Sequence, residues 1–355
     1  MVRKAARFLE PPQEVLRGDS RNGVGPGQIM QQAISPETLE AWGLNSEGLE
    51  GVTFLARGGM SEIYSAIQTR IGRKIALKRL RPELQSLREL RERFHREAQY
   101  LGRLNHPHLP QVYNFICTPQ QQLLILELVE GIDLSEVLRR VGPLPPLVAS
   151  ALIVGLCYAL EHVHLHNLVH RDIKPANIRI NYFGKVKLMD FGIAWNAEDN
   201  NLTKPGVFVG SPHYLAPEHI LVEPSTPRSD LFLLGITFFE MLTGRKPFEE
   251  THEKSVYQAI REGRRPRLRD LEPGIPRALD LLVSRCLKIN PSDRFSSVAE
   301  FRAGLEAWMG IKRVRHTTDL ILSYFDYEGL LKLVGPYHSV SWELRRGWWN
   351  WLWRR

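Results

Sequence analysis

The residues whose types and spacing could do chemistry fall in four places: the pair Gly58-Gly59, Lys78, Glu97, and the run from His170 to Gly192. Phosphoryl transfer asks little covalent work of a protein. It asks that a nucleotide's phosphates be held still, that their charge be neutralised, and that an acceptor hydroxyl lie in line. The stretch Leu55-Ala56-Arg57-Gly58-Gly59-Met60-Ser61-Glu62-Ile63 suits the first task. Small residues in a strand-turn-strand let backbone N–H groups approach phosphate oxygens with no Cβ in the way. Read alone, that stretch is a plain hairpin turn. Ile75-Ala76-Leu77-Lys78 then places a lysine at the end of an apolar strand, which in isolation is a solvated edge. Glu97, on the next helical stretch, changes that reading: paired with Lys78, it would hold the lysine on the α- and β-phosphates.

The run Val169-His170-Arg171-Asp172-Ile173-Lys174-Pro175-Ala176-Asn177-Ile178, followed by Leu188-Met189-Asp190-Phe191-Gly192, resembles the eukaryotic-type (Hanks-type) protein kinase family in its serine/threonine branch. The ordered match covers about residues 52 to 308. Lysine, glutamate, catalytic loop and Asp-Phe-Gly segment in that order leave little room for coincidence. By this resemblance Asp172 accepts or orients the proton of a substrate hydroxyl and Lys174 reaches the transferring phosphate. Asn177 and Asp190 would hold Mg²⁺, with Mn²⁺ as the alternative, since hard cations prefer carboxylate and amide oxygens. Lys78, Glu97, Asp172 and Lys174 form the catalytic set. The ATP-binding set is Ala56, Arg57, Gly58, Gly59, Met60, Ser61, Ile63, Ala76 and Lys78, the hinge residues Glu127 and Val129, and Asn177.

The resemblance implies further roles. Ala216-Pro217-Glu218 ends the activation segment that opens at Asp190, Glu218 pairs with Arg294, and Asp230 anchors the catalytic-loop backbone. His170 and Phe191 are packing residues. Arg171 would pair with a phosphate on the activation segment, for which Thr203 is the candidate. Lys174 favours serine and threonine acceptors, and the Gly-Gly-Met-Ser-Glu form of the phosphate loop looks like that of bacterial members. The expected activity is transfer of the ATP γ-phosphoryl group to Ser/Thr hydroxyls of proteins, with autophosphorylation and a role in intracellular signalling. One departure bears on this: Ala56 and Ser61 stand where the family has the first and third loop glycines. A nucleotide-binding pseudokinase would account for that, yet Lys78, Glu97, Asp172, Asn177 and Asp190 are all retained. A small-molecule kinase of similar fold is disfavoured by Ala216-Pro217-Glu218 and Lys174.

These residues need elements to position them. Val52–Leu55, Glu62–Ala66 and Lys74–Lys78 read as strands, Leu87–Leu104 as a charged helix, and Leu123–Leu126 as a short buried strand. Ala149–His164, Arg228–Thr243, Lys254–Glu262 and Ala278–Leu287 carry apolar residues at helical spacing. The expected fold is α+β and two-lobed: a small antiparallel β lobe with one helix over about 48–128, and a larger helical lobe over about 132–309. Residues 1–47 read as a flexible N-terminal extension with a short helix near Pro36–Trp42, and 310–355 as a basic, Trp-rich tail.

Length and charge set the remaining bounds. A chain of 355 residues buries enough surface to need no disulfide or metal staple. Its formal charge of +8 is too mild to select nucleic acid or lipid as a partner, and no nucleic acid is expected. Cys117, Cys157 and Cys286, odd in number and far apart, read as buried thiols of a reducing compartment. No secretory signal is evident, and no stretch reads as a spanning helix. The expected location is therefore the cytoplasm. His162, His164, His166 and His170 crowd one stretch without a cysteine or carboxylate cluster and read as a helix end rather than a zinc site. Arg264, Arg265, Arg267 and Arg269 read as a solvated face. Thr318–Val334 reads as an amphipathic helix ended by Gly335-Pro336. The tail from Trp342 to Arg355 mixes tryptophan with arginine, which suits either a peripheral contact at the inner membrane face or folding back onto protein.

Overall fold

The computed structural model describes residues 34, 36–44, 48–118, 121–191, 211–250, 255–310 and 316–331. Five strands form an antiparallel sheet in the order β1-β2-β3-β5-β4: β1 (Leu49–Arg57), β2 (Ser61–Gln68), β3 (Arg73–Leu80), β4 (Val112–Cys117) and β5 (Gln122–Glu127). Because side chains alternate across a strand, β3 sends Ile75 and Leu77 to one face and Ala76, Lys78 and Leu80 to the other. The first face packs with Tyr64, Leu123 and Ile125 in a core of its own. Its cover comes from the short helix α1 (Pro36–Ala41) and the turn after it, which buries Trp42 and Leu44. The Trp42 ring meets Tyr64 edge-on at 5.1 Å and lies 4.4 Å beneath the Arg79 guanidinium. The stretch expected to be a flexible extension therefore supplies part of the sheet's core at 42–44.

The opposite face is covered by α2 (Arg88–Leu101), which buries Phe94, Ala98 and Leu101 at i, i+4 and i+7. Glu97 shares that inward side.

After β5 the chain enters a helical lobe. A small sheet, β6 (Gly131–Asp133), β7 (Ile178–Asn181) and β8 (Val186–Leu188), lies at its upper surface. The helices are α3 (Leu134–Val141), α4 (Pro146–Leu165), α5 (Pro217–Ile220), α6 (Pro227–Thr243), α7 (Val256–Glu262), α8 (Leu268–Leu271), α9 (Arg277–Cys286), α10 (Val298–Met309) and α11 (Thr317–Tyr327). Contrary to the sequence expectation, α4 is long and apolar enough to cross a membrane by length and composition. Its placement explains this: it packs against α6, α10, α11 and β8, and a helix surrounded by protein is apolar all round.

Two further expectations are corrected. Cys117 is exposed at the edge strand β4, whereas Cys157 and Cys286 are buried in the helical lobe. The C-terminal helix stops at Tyr327, because Gly329 takes a φ of 68° and Leu330 N–H turns back to the Phe325 carbonyl at 2.7 Å. Ile321, Tyr324, Phe325 and Leu330 join the core of the helical lobe, which thus continues past residue 309. The start of α11 sits on the β7–β8 turn, where a Cβ at Gly184 would lie 2.8 Å from the Thr318 carbonyl oxygen.

Candidate active site

Lys78 is where the two lobes' charges meet. Carried by β3 on the sheet's inner face, its Nζ lies 2.7 Å from Glu97 Oε1 on α2 and 3.0 Å from Asp190 Oδ1 just beyond β8. Burial alone would pull the lysine's pKa down, but the two carboxylates outweigh it and hold the ammonium well above its ordinary value. Asp190 is held below the usual carboxylate range, first by the Lys78 charge. Its side chain is 59% exposed toward the cleft, against 12% for Lys78. The Asp190 backbone has a φ of 39°, a left-handed conformation that a non-glycine residue adopts only when its surroundings impose it.

The segment after α4 brings the second group together. Lys174 Nζ is 2.8 Å from both carboxylate oxygens of Asp172. Asn177 Nδ2 donates to Asp172 Oδ2 at 2.7 Å and to its carbonyl at 2.9 Å. Met189 N–H donates to the Asn177 carbonyl at 2.7 Å, which ties this loop to the residue preceding Asp190. Among the described residues, neither Asn177 Oδ1 nor Asp190 Oδ2 accepts a hydrogen bond. An amide oxygen and a carboxylate oxygen are thus left over on neighbouring backbone, a donor set that fits a hard divalent cation.

The loop carrying Asp172 is fixed from below by Asp230 of α6. This fully buried carboxylate accepts from His170 N–H at 2.9 Å and Arg171 N–H at 2.8 Å, and lies 2.8 Å from His164 Nε2. Burial pushes its pKa up, but the hydrogen bond and charge of His164 prevail and hold it low. Arg171 is bent to a φ of 68°, so the Asp230 bonds pin a strained turn immediately before Asp172. His170 packs against Phe191 with ring centroids 4.4 Å apart and the planes tilted by 43°, and burial pushes its imidazole pKa down. Farther down, Arg294 donates to Glu218 at 2.7 and 2.9 Å, both side chains buried. The same guanidinium also bonds the carbonyls of Arg228, Lys288 and Ile289.

The phosphate loop between β1 and β2 is held differently. Gly58 N–H closes the turn on the Ser61 carbonyl at 2.8 Å. Arg81 reaches across to it, donating its backbone N–H to Met60 O and its side chain to Gly59 O, each at 3.0 Å. Glu83 lies 2.5 Å from both Arg81 Nη2 and Arg57 Nη2, so one carboxylate bridges the loop and the segment after β3. Ile63 and Lys78 are register partners across β2 and β3, and Ala76 pairs with Leu126 of β5, one residue from the hinge. Val129 is buried at the hinge, and Glu127 is 2.7 Å from the buried Lys187 of β8.

The catalytic, ATP-binding and metal-holding residues predicted from the sequence are all described and lie on one of the two walls of this cleft. Arg81, Glu83 and Lys187 were not singled out from the sequence, and His164 was read there only as part of a helix end. Each has a partner distant in the chain. Asp133, at the start of α3, was also missed; burial raises its carboxyl pKa, and Asp190 across the cleft adds to the effect. Of the earlier histidine group, His164 serves Asp230, while the His162 and His166 rings meet at a tilt of 52° with centroids 4.6 Å apart. Gly192, Thr203 and the tail from Trp342 to Arg355 lie outside the described residues.

A family model described as a protein kinase domain matches residues 50–304. A probable serine/threonine-protein kinase of Corynebacterium efficiens is 37% identical over 265 residues, covering 71% of this chain and 40% of the relative. The serine/threonine-protein kinase PknB of Mycolicibacterium smegmatis is 39% identical over 258 residues, covering 71% and 41%. The chain thus spans less than half the length of these two relatives. Among solved structures, the kinase domain of Mycobacterium tuberculosis PknI superposes with a TM-score of 0.57 at 28% identity, covering 74% of this chain and 98% of that one. Rad53 with a bound nucleotide analogue superposes at 0.61 with 22% identity, a likeness of fold.

Proposed function

The chain belongs to the protein kinase family, in the company of bacterial Hanks-type serine/threonine kinases, and from that we propose that it moves the ATP γ-phosphoryl group onto serine and threonine hydroxyls of other proteins. The observation that carries this reading is the single Lys78 ammonium within 3.0 Å of both Glu97 and Asp190, facing an Asp172 that Lys174 and Asn177 already bracket. That arrangement supplies what in-line transfer needs without a covalent enzyme intermediate.

In this reading Lys78, fixed by Glu97, holds the α- and β-phosphates, and the backbone from Ala56 to Ser61 covers them. Asn177 and Asp190 would hold Mg²⁺, which neutralises charge on the transferring group. Asp172 accepts or orients the hydroxyl proton of the acceptor, and Lys174 stands 2.8 Å away to meet the developing phosphoryl charge. Autophosphorylation, a signalling role and a cytoplasmic location are part of the same proposal. They rest on the family and on the motifs.

Radiolabelled ATP with a generic acceptor protein, assayed beside Asp172→Asn, tests it. Wild type should label the acceptor on serine and threonine, and the variant should fall by about 10²-fold or more. Equal labelling by both proteins would assign the activity to a contaminant.

A further inference from the structure

Four histidines from two distant stretches of chain form one row. His106 and His108 lie on the loop between α2 and β4, and His162 and His166 at the end of α4. The His106 ring stacks on His162 with centroids 5.2 Å apart and lies 5.5 Å from His108, while His162 and His166 are 4.6 Å apart. The same loop clasps β8. The His108 carbonyl accepts from Leu188 N–H at 2.9 Å, its Nδ1 lies 2.6 Å from the Val186 carbonyl, and Lys187 Nζ donates to the Leu109 carbonyl at 3.0 Å. From α4, Gly155 fits so closely that a Cβ there would come within 2.4 Å of Val186 and 3.1 Å of His108. Glu97 lies one turn before the end of α2, and β8 ends two residues before Asp190. The loop thus ties together the two elements whose carboxylates hold Lys78.

The row lacks a counter-charge. Among the described residues, no carboxylate forms an ion pair with any of the four rings. From β8 and the turn before it, the charges that face His106 and His108 are those of Lys187 and Lys185. On α4, Tyr158 lies parallel to His108 at 6.4 Å, and its hydroxyl donates to Glu306 of α10 at 3.0 Å. Glu306 and the α4 residue Glu161 are both engaged by Arg302. His162 Nε2 is buried without a hydrogen-bond partner, so a proton placed there would meet no acceptor. Burial, then the imidazoles of His108 and His162 and the Lys187 charge, hold the His106 pKa down to about 4. Burial also leads in pulling His108 and His162 below their ordinary value.

We propose that this row is an acid-sensitive latch: protonation of its imidazoles drives the loop off α4 and slackens the tie between α2 and β8. Added protons face one another and two lysines with no carboxylate to neutralise them, so only separation relieves the charge. In the opened loop the imidazoles return to their ordinary 6.5. The closed form is therefore fully favoured above that pH and loses ground as pH falls toward the His106 value of about 4. The opening belongs to the fold, and only its effect on phosphoryl transfer rests on the kinase reading.

Amide hydrogen exchange of the full chain, without nucleotide, tests the latch at pH 7.5 and pH 5.5, with rates corrected for the intrinsic effect of pH. Exchange over 104–111 should rise about tenfold at the lower pH, while α6, which reports global unfolding, stays level. His162→Gln breaks the row at its middle and should hold the rise below about threefold. If that variant does not melt like wild type at pH 7.5, His166→Gln, at the exposed end of the row, should still bring it to about fivefold. No rise in wild type, the same rise in the folded variants, or an equal rise in α6 would each overturn the proposal. Acceptor labelling by wild type is measured in parallel at pH 7.5. Its absence would strike the kinase reading and leave the exchange result standing.

Discussion

The two walls of the cleft are held by charge in opposite ways. Under the catalytic loop the charges are buried and paired: Asp230 with two backbone N–H groups and His164, and Arg294 with Glu218. Around the phosphate loop they are open to water, with Arg57 and Glu83 exposed at 51% and 45%. A buried pair loses heavily when one partner goes, because the other is stranded away from water. An exposed pair is screened and replaceable. The contrast fits the tasks: the wall bearing Asp172 must hold one geometry, while the loop over the nucleotide must let it enter and leave.

The largest test of that contrast is Arg294→Met. It strands Glu218 in the helical lobe and should cost about 3–5 kcal/mol of stability, read from urea unfolding; a loss comparable to that of a surface pair would erase the distinction. Next comes Asp230→Asn, which keeps the shape but replaces one acceptor oxygen by an amide. With a backbone donor left unmet, kcat should drop about 10–100-fold with KM for ATP little changed. A smaller effect separates the walls by pH. Glu218 has a folded pKa below its ordinary 4.5, burial being outweighed by Arg294. Its contribution is therefore full above about 4.5 and is lost as pH falls through the folded value. Thermal melts at pH 6 and pH 4 should show a larger acid loss for wild type than for Glu218→Gln. The smallest effect is at the open wall: Glu83→Gln should raise KM for ATP roughly two- to fivefold at low salt, leave kcat unchanged, and lose most of that difference at high salt.

Much of the cleft was legible in the sequence because its residues sit in ordered motifs. Lys78 ends an apolar strand, and Asp172, Asn177 and Asp190 lie in one short run. The elements flanking them were legible as well: α2 carries apolar residues at a period of 3.6, while β3, α4 and α6 show as apolar runs of strand and helix length. What escaped has physical causes. Strand β4, Val-Tyr-Asn-Phe-Ile-Cys, has no fully buried residue, exposes Asn114 and Cys117, and shows no period-two alternation. Strands β6 to β8 are three or four residues long, too short to carry a period. The brace of Arg81 and Glu83 depends on a fold that returns the end of β3 to the phosphate loop, and Lys187 on one that sets β8 against the hinge. Family likeness also drew the edges too tightly, since neither Trp42 nor Phe325 belongs to a motif.

The helix Thr317–Tyr327 has a consequence for how this protein is divided. A chain trimmed where kinase likeness ends, at residue 304, would cut through α10 and remove a share of its own interior. The floor beneath α4 would lie bare where Tyr324 and Phe325 now fill it. The β7–β8 turn would lose the backbone that rests on Gly184, two residues before the strand that runs toward Asp190. What similarity marks as an appendage is, for this molecule, masonry.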